Sequence, residues 1–415
     1  MTPITIFRTA ARWAAGLLGL GLVVASGYVA TPLLARDEVR ALWVARTSLT
    51  SPQAIEQMAE AAKQSGFNTL LVQVRGLGDS YFFGGIEPRP GALAAQPAFD
   101  PLATAIAKGH ERGLAVHAWI NVNLVAGTDV PASRSHIAYR HPEWLMVPRD
   151  LARDLAGLDP TGPEYLGRLI RYARAQAADL EGVYLSPTTA GAIEYTNSVV
   201  RDVVQRYAVD GVHFDYLRYP SEDFDYSRET LAAFRHTLAA GIPVVDVQRY
   251  DRRLATEPLV YTEAFRDEWR AFRIDRLTAL LSELRQTVKA ARPDATVSAT
   301  VGADSGEAAA HRLQDWGGWL NLDLLDVICP AVYTTDVAGF ASQIATAQLA
   351  AGRHGLWAGI GAHRLSSEQT VDDILAARRL GVGGVILYSY DSLIAPARAS
   401  GYLSQLGKAA FSTTF

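Results

Sequence analysis

From Val39 onward, short runs of apolar residues alternate with longer stretches whose apolar positions recur every three or four residues. "VRALWVAR" is followed by "SPQAIEQMAEAAKQSG", in which Ser51 is placed to cap a helix and Pro52 takes its first position. "NTLLVQVRG", "LAVHAWINVNLV", "GVHFDYLRYP", "ATVSATVG", "LLDVICPAVYTT", "GLWAGIGAHR" and "VGGVILYSYDS" complete eight strand candidates, most of them separated by helical sequence. Eight β-then-α units predict a (β/α)8 TIM barrel. An open doubly wound sheet would normally use fewer units, and no GxGxxG follows the first strand; "GVGG" at Gly381 reads as a turn into the last one.

The third and fourth strands are separated by a long insertion, Ala126 to Tyr207, which holds two helix-like stretches. In a barrel such an insertion builds a wall beside the mouth. Period-two alternation sorts the strand faces. On the second strand Leu70, Val72 and Val74 face the helices, with Gln73 and Arg75 inward; on the third, Val116, Ala118, Ile120 and Val122 face outward and His117, Trp119, Asn121 and Asn123 inward. The fourth puts Val212 and Phe214 outward and turns His213 and Asp215 inward, while Ser298 and Thr300 leave space on the fifth. An inward carboxylate at the end of an otherwise apolar strand needs a partner or a task.

Composition alters this picture little. The chain has 415 residues, 49% of them hydrophobic, and a formal net charge of -4, which implies no basic field for nucleic acid. The lone Cys329 sits in an apolar run and reads as a buried thiol. The amino terminus changes more. Arg8 and Arg12 precede an uncharged run from Trp13 to Ala35, so residues 1–36 read as a signal peptide or membrane anchor. Positive-inside logic then exports the barrel, residues 37–406, to the periplasmic or extracytoplasmic face.

The mouth assembled in this way is rich in carboxylates, amides and aromatics, a mixture suited to sugar hydroxyls and ring faces. Glycoside hydrolysis needs two carboxyl groups and no cofactor. His117, His213 and His363 are spread singly over strands and no His-x-His pair marks the first, so no metal site is expected. No GxSxG elbow is present.

Six segments, "VRALWVAR", "GDSYFFGGIEPRP", "FDPLATAIAKGHERGLAVHAWINV", "HPEWLM", "DGVHFDYLRYP" and "QDWGGWLNLDLLDVICPAVYTTD", occur in an order that resembles the bacterial glycosyl-hydrolase-like family 10. The resemblance runs from Glu38 to about Leu393. It implies an exported (β/α)8 glycosidase-like domain acting on a polysaccharide, in a family with members that cleave peptidoglycan glycan strands stripped of stem peptides. Asp79, Glu87, His117, Trp119, Asp215, Arg218, Tyr219, Tyr333 and Asp336 fall on matching positions. The chain departs from the pattern by lacking a lipoprotein cysteine and by extra sequence at Val147 to Glu181.

The expected function is hydrolysis of a glycosidic bond in a cell-envelope polysaccharide, with peptidoglycan glycan the leading candidate. Asp215 is expected as nucleophile or general base, and Asp336 as the acid, with Asp79, Glu87 and Asp304 in reserve. Trp119, Tyr216 and Tyr219 would stack on sugar rings, and Arg218, Asn121 and Asn123 would bind hydroxyls or carboxylates. The alternatives are a catalytically inactive glycan-binding barrel and a metal-dependent deacetylase using His117, His213 and Asp215.

Overall fold

A computed structural model describes residues 38–396 and 401–412; the hydrophobic segment read as a signal or anchor lies outside them. Eight parallel strands close into a barrel: β1 (Val39–Val44), β2 (Thr69–Arg75), β3 (Ala115–Asn121), β4 (Gly211–Asp215), β5 (Thr296–Val301), β6 (Val327–Val332), β7 (Gly355–Ile360) and β8 (Gly384–Leu387). Each pairs with its neighbours in sequence, and β8 returns to β1 through Val39 opposite Gly384. This is the predicted fold.

The strand faces follow the period-two reading. Leu70, Val72, Val116, Ala118, Ile120, Val212 and Phe214 join the large core beneath the helices. Ala41, Trp43, Leu71, Trp119, Val327, Cys329, Trp357 and Ile386 fill the barrel interior. Cys329 is fully buried there, and burial pushes its thiol far above the ordinary range.

Several helix starts are capped by a side-chain oxygen. Ser51 accepts from Ala54 N, and Ser366 forms a reciprocal capping box with Gln369. Among the described residues no helix is long and apolar enough to cross a membrane.

The insertion is built in two parts. Its last helix, Ala190–Arg206, belongs to the outer ring and packs on the long helix Arg266–Ala291. The earlier part stands over the mouth, rooted by an antiparallel pairing of Leu124–Ala126 with Val183–Tyr184. Gly182 makes this pairing possible. A Cβ there would lie 1.9 Å from the Ala126 carbonyl oxygen, so no larger residue fits without moving the backbone.

Candidate active site

A cleft of about 720 Å³ opens at the carboxyl ends of the strands. All eight strands or the loops just after them reach it: Arg46, Gln73, Asn121, Asp215, Thr300, Tyr333, His363 and Tyr388, in chain order. Trp119 contributes to the floor. Glu181, from the insertion, and Arg218, Arg312 and Arg364 complete the walls.

Asp215 ends β4, facing Asn121 of β3 in register. Burial pushes its carboxyl above the ordinary carboxylate range; the Tyr216 N–H, the Arg218 charge, the Thr300 hydroxyl and the Trp119 indole offset this only in part. The Tyr216 N–H donates to Oδ1 at 2.7 Å. The Trp119 indole N–H lies close by but makes no full hydrogen bond, although it is buried. Tyr216 holds a left-handed backbone, φ +50°, which costs a bulky residue roughly 1–2 kcal/mol and turns the chain sharply behind the carboxylate.

Below Asp215, His213 is fully buried, with polar neighbours at both ring nitrogens. His213 Nδ1 lies 3.0 Å from Ser298 Oγ, and Nε2 lies 3.1 Å from the Trp43 indole nitrogen and 2.9 Å from Thr300 Oγ1. Burial and the neighbouring His117 lower its pKa to about 3, so it is neutral. Both ring nitrogens are occupied, leaving no lone pair for a metal. Among the described residues no three His, Cys, Asp or Glu side chains converge in a way that could hold an ion.

The second carboxylate in the cleft is Glu181. Its Oε1 accepts from Arg218 at 2.6 Å and its Oε2 from the Tyr184 hydroxyl at 2.6 Å. Burial alone would raise its pKa, but the Arg218 charge and the two hydrogen bonds outweigh burial and hold it below the usual value. The Arg218 guanidinium also lies over the Tyr216 ring, 5.1 Å from its centroid. The aromatic wall opposite is a cluster: Tyr333 and Tyr388 stand 5.6 Å apart, and His363 meets both edge-on.

Of the residues expected from sequence, Trp119, Asn121, Asp215, Tyr216, Arg218 and Tyr333 line the cleft. The others do not, and each has a physical reason. Asp336 is the N-cap of helix Val337–Ala351, accepting from Ala338 N and Gly339 N, and it raises the pKa of Asp373 rather than meeting Asp215. Asp304 likewise caps Ser305–Arg312. Glu87 forms a fully buried ion pair with Arg75, 2.7 Å between Nη2 and Oε1. Asp79 folds back on Gly76 N and Leu77 N within its own loop. His117 sits deep in the barrel, opposite Gly211 and against Trp357, and burial lowers its pKa to about 4. Tyr219 is fully buried and donates to the Arg273 carbonyl. Asn123 is buried under the Arg218 carbonyl, 3.4 Å away.

The sequence reading missed Glu181, Arg46, Gln314 and Arg364. Gln314 is buried and braces two strand exits, donating to the Leu217 and Thr300 carbonyls and accepting from Gly302 N. No local pattern points to Glu181, because the strand it precedes, Val183–Tyr184, pairs with Leu124–Ala126 far back in the chain.

A closed eight-stranded barrel with a carboxyl at the end of β4, set in an open cleft of tyrosines and arginines, defines a glycosidase-type (β/α)8 domain. The profile of the family Glycosyl hydrolase-like 10 matches residues 38–165 and 169–368, and the chain belongs to that family. Among curated relatives it is 24% identical over 299 residues to "Glycosyl hydrolase YngK" of Bacillus subtilis, covering 66% of this chain and 48% of that protein. It is 25% identical over 315 residues to "Glycosyl hydrolase DigH" of Escherichia coli strain K12, covering 68% of this chain and 58% of that one. The chain thus spans only about half the length of the relatives it matches. Among solved structures, the PgaB (BpsB) glycoside hydrolase domain from Bordetella bronchiseptica superposes with a TM-score of 0.61 at 15% identity, covering 91% of this chain and 100% of that one. A β-galactosidase from the psychrophilic Marinomonas ef1 gives 0.60 at 13% identity, covering 90% and 59%. At these identities the likeness is one of fold.

Proposed function

We propose that the protein is a glycoside hydrolase in which Asp215 donates the proton to the glycosidic oxygen and Glu181 is the ionised partner. The observation that carries this reading is the separation of two carboxyl groups in one cleft, Asp215 raised by burial and Glu181 lowered by Arg218. Environments that drive two titratable groups apart are how one site assigns acid and base. This reverses the role expected for Asp215 and replaces Asp336 with Glu181. Tyr216, Tyr333 and Tyr388 offer faces to sugar rings. As the C1–O bond breaks, the Asp215 proton passes to the leaving oxygen, and the negative charge of Glu181 favours the cationic sugar or the water that attacks it.

The substrate we favour is a cell-envelope polysaccharide, peptidoglycan glycan strands above all, met outside the cytoplasm. Arg312 and Arg364 add positive charge to walls whose one ionised carboxylate is already neutralised by Arg218. Such walls suit a glycan bearing carboxylates, as the lactyl ethers of peptide-free strands do. The test is to incubate the protein with purified peptide-free strands and weigh the products. Asp215→Asn should cut turnover by about 10²–10⁴-fold while glycan binding survives. Wild-type turnover in that variant would refute the assignment, and binding without cleavage by the native protein would mark it as a glycan-binding barrel.

A further inference from the structure

The arginines that line the cleft are not equivalent. Arg218 is committed, its Nη2 donating to Glu181 at 2.6 Å. Arg46 leans on Gln73 at 3.0 Å and on Asp79 at 3.9 Å. Arg364 stands exposed, where water screens most of what a charge can offer. Arg312 differs from all three. It is half-buried, and among the described residues it makes no ion pair. Glu181 is near enough to act on it, but both Glu181 oxygens are already engaged, one by Arg218 and one by the Tyr184 hydroxyl.

Arg312 is clamped to the loop that leaves β4. Helix Ser305–Arg312 ends on it, and the left-handed Leu313, φ +54°, turns the chain away. Its carbonyl accepts from Tyr219 N at 3.1 Å, and its Nη1 donates to the Pro220 carbonyl. Gln314 ties the following turn to the exits of β4 and β5 through the Leu217 and Thr300 carbonyls. A guanidinium carries five N–H groups in one plane. With Nη1 held by Pro220, the Nε–Nη2 edge meets no acceptor among the described residues. Such an edge offers two parallel N–H groups that match the two oxygens of a carboxylate. The charge balance favours an anion here too. Burial, then the like charge of Arg218, lower the pKa of Arg312, whereas Tyr184 and Glu181 hold that of Arg218 up against burial. A carboxylate arriving at Arg312 would replace lost hydration and meet a side chain already ordered.

We propose that Arg312 is the specificity-determining residue of the cleft, receiving on its Nε–Nη2 edge a carboxylate carried by a sugar of the bound glycan. This rests on the glycosidase reading above and deepens it, from a wall of positive charge to one receptor. Arg218 cannot take that part without releasing Glu181. The carboxylate has two chemical sources, an ether-linked arm such as lactyl or the ring-borne carboxyl of a uronic acid, and the edge grips either. A neutral glycan of the same backbone leaves a desolvated cation unpaired beneath it and is rejected for that reason.

The test measures binding by titration calorimetry on the intact chain carrying Asp215→Asn, so that no strand is cleaved. Peptide-free peptidoglycan strands are compared with the same strands after their carboxyls are reduced to alcohols. With Arg312 in place, reduction should weaken binding by about 10–100-fold. Arg312→Gln should weaken binding of the native strands by a similar factor and change that of the reduced strands by less than about twofold. Arg312→Lys keeps the charge but not the fork and should recover only part of the loss. Equal affinity for native and reduced strands overturns the proposal without any variant, so the outcome does not depend on whether Arg312→Gln folds. Equal losses on both strands in Arg312→Gln overturn it as well, since they mark a structural arginine, and so does failure to bind any carboxylated strand. Polyglucuronate names the source, and both of its outcomes support the receptor. Arg312-dependent binding as tight as that of the strands assigns a ring carboxyl, and weaker binding assigns the lactyl arm. The two readings fail separately. Protein that binds native strands through Arg312 but cleaves none sinks the hydrolase and keeps the receptor. Protein that cleaves reduced strands with unchanged kcat/KM keeps the hydrolase and sinks the receptor.

Discussion

The buried pair Arg75–Glu87 provides a direct test of how the fold supports the cleft. Both side chains are fully excluded from solvent, and Arg75 Nε and Nη2 reach Glu87 at 2.7–2.9 Å. The remaining Arg75 nitrogen, Nη1, donates to the Asn121 and Val122 carbonyls, where β3 leaves the barrel. Glu87→Gln keeps the shape but strips the charge, leaving a buried cation without its counter-ion. Breaking such a pair costs about 3–5 kcal/mol. With an unfolding entropy of roughly 2.1 cal/mol/K per residue, or about 0.9 kcal/mol/K for 415 residues, Tm should fall by about 3–6 °C. Differential scanning calorimetry at pH 7 measures it. Replacing both partners, Arg75→Met with Glu87→Leu, should cost less than the sum of the single changes, because no lone charge is stranded. An unchanged Tm for Glu87→Gln, together with lost turnover, would refute this reasoning and return Glu87 to the substrate-binding role expected from sequence.

Three further outcomes follow from the geometry. Asp215→Asn should not lower Tm, because Arg75 is paired with Glu87 and Arg218 with Glu181; a drop of several degrees would make Asp215 a structural anchor. Asp373 is buried on helix Ser367–Arg379, and burial followed by the charges of Asp372 and Asp336 raises its pKa to about 7. Its folded value exceeds the unfolded value near 3.9, so stability is lost as pH rises between the two. Asp373→Asn should recover about 2 kcal/mol at pH 8 and nothing at pH 3; equal effects at both would refute the cause. Gly182→Ala should push the hairpin off Ala126 and carry Glu181 away from the wall, raising KM for glycan with a smaller change in Tm. An unchanged KM would show that the wall does not read substrate.

The barrel was legible because parallel strands with both faces covered repeat one simple signal eight times, and period two then places Asp215 inward without any further information. Depth along a strand was harder to read. His117, Trp119 and Asn121 share a face, yet only the last two reach the cleft, because His117 pairs with Gly211 at the start of β4 rather than with Asp215 at its end. Loop carboxylates misled for another reason. An aspartate just before a helix reads the same whether it caps that helix or meets a substrate, although "DVAGF" and "DSGEA" each carried the capping signal. Glu87 could not be placed, since its partner lies twelve residues away across a glycine-rich loop. Glu181 depended on a hairpin whose two short strands are 59 residues apart by their first residues, a distance no local pattern spans.

That hairpin has a consequence for how such a protein changes over time. Asp215, the proposed proton donor, stands on a barrel strand, whereas Glu181 is carried in by the insertion and clasped through Arg218. The two carboxyl groups of the proposed site are therefore written on separable lengths of chain. Substitutions that reshape Leu124–Tyr184 can refit the enclosure to another polymer while β4 and the layer beneath it stay untouched. The same seam offers protein engineers a cassette boundary: exchange the hairpin at its root, keep an arginine to receive it, and the acid below need not be rebuilt.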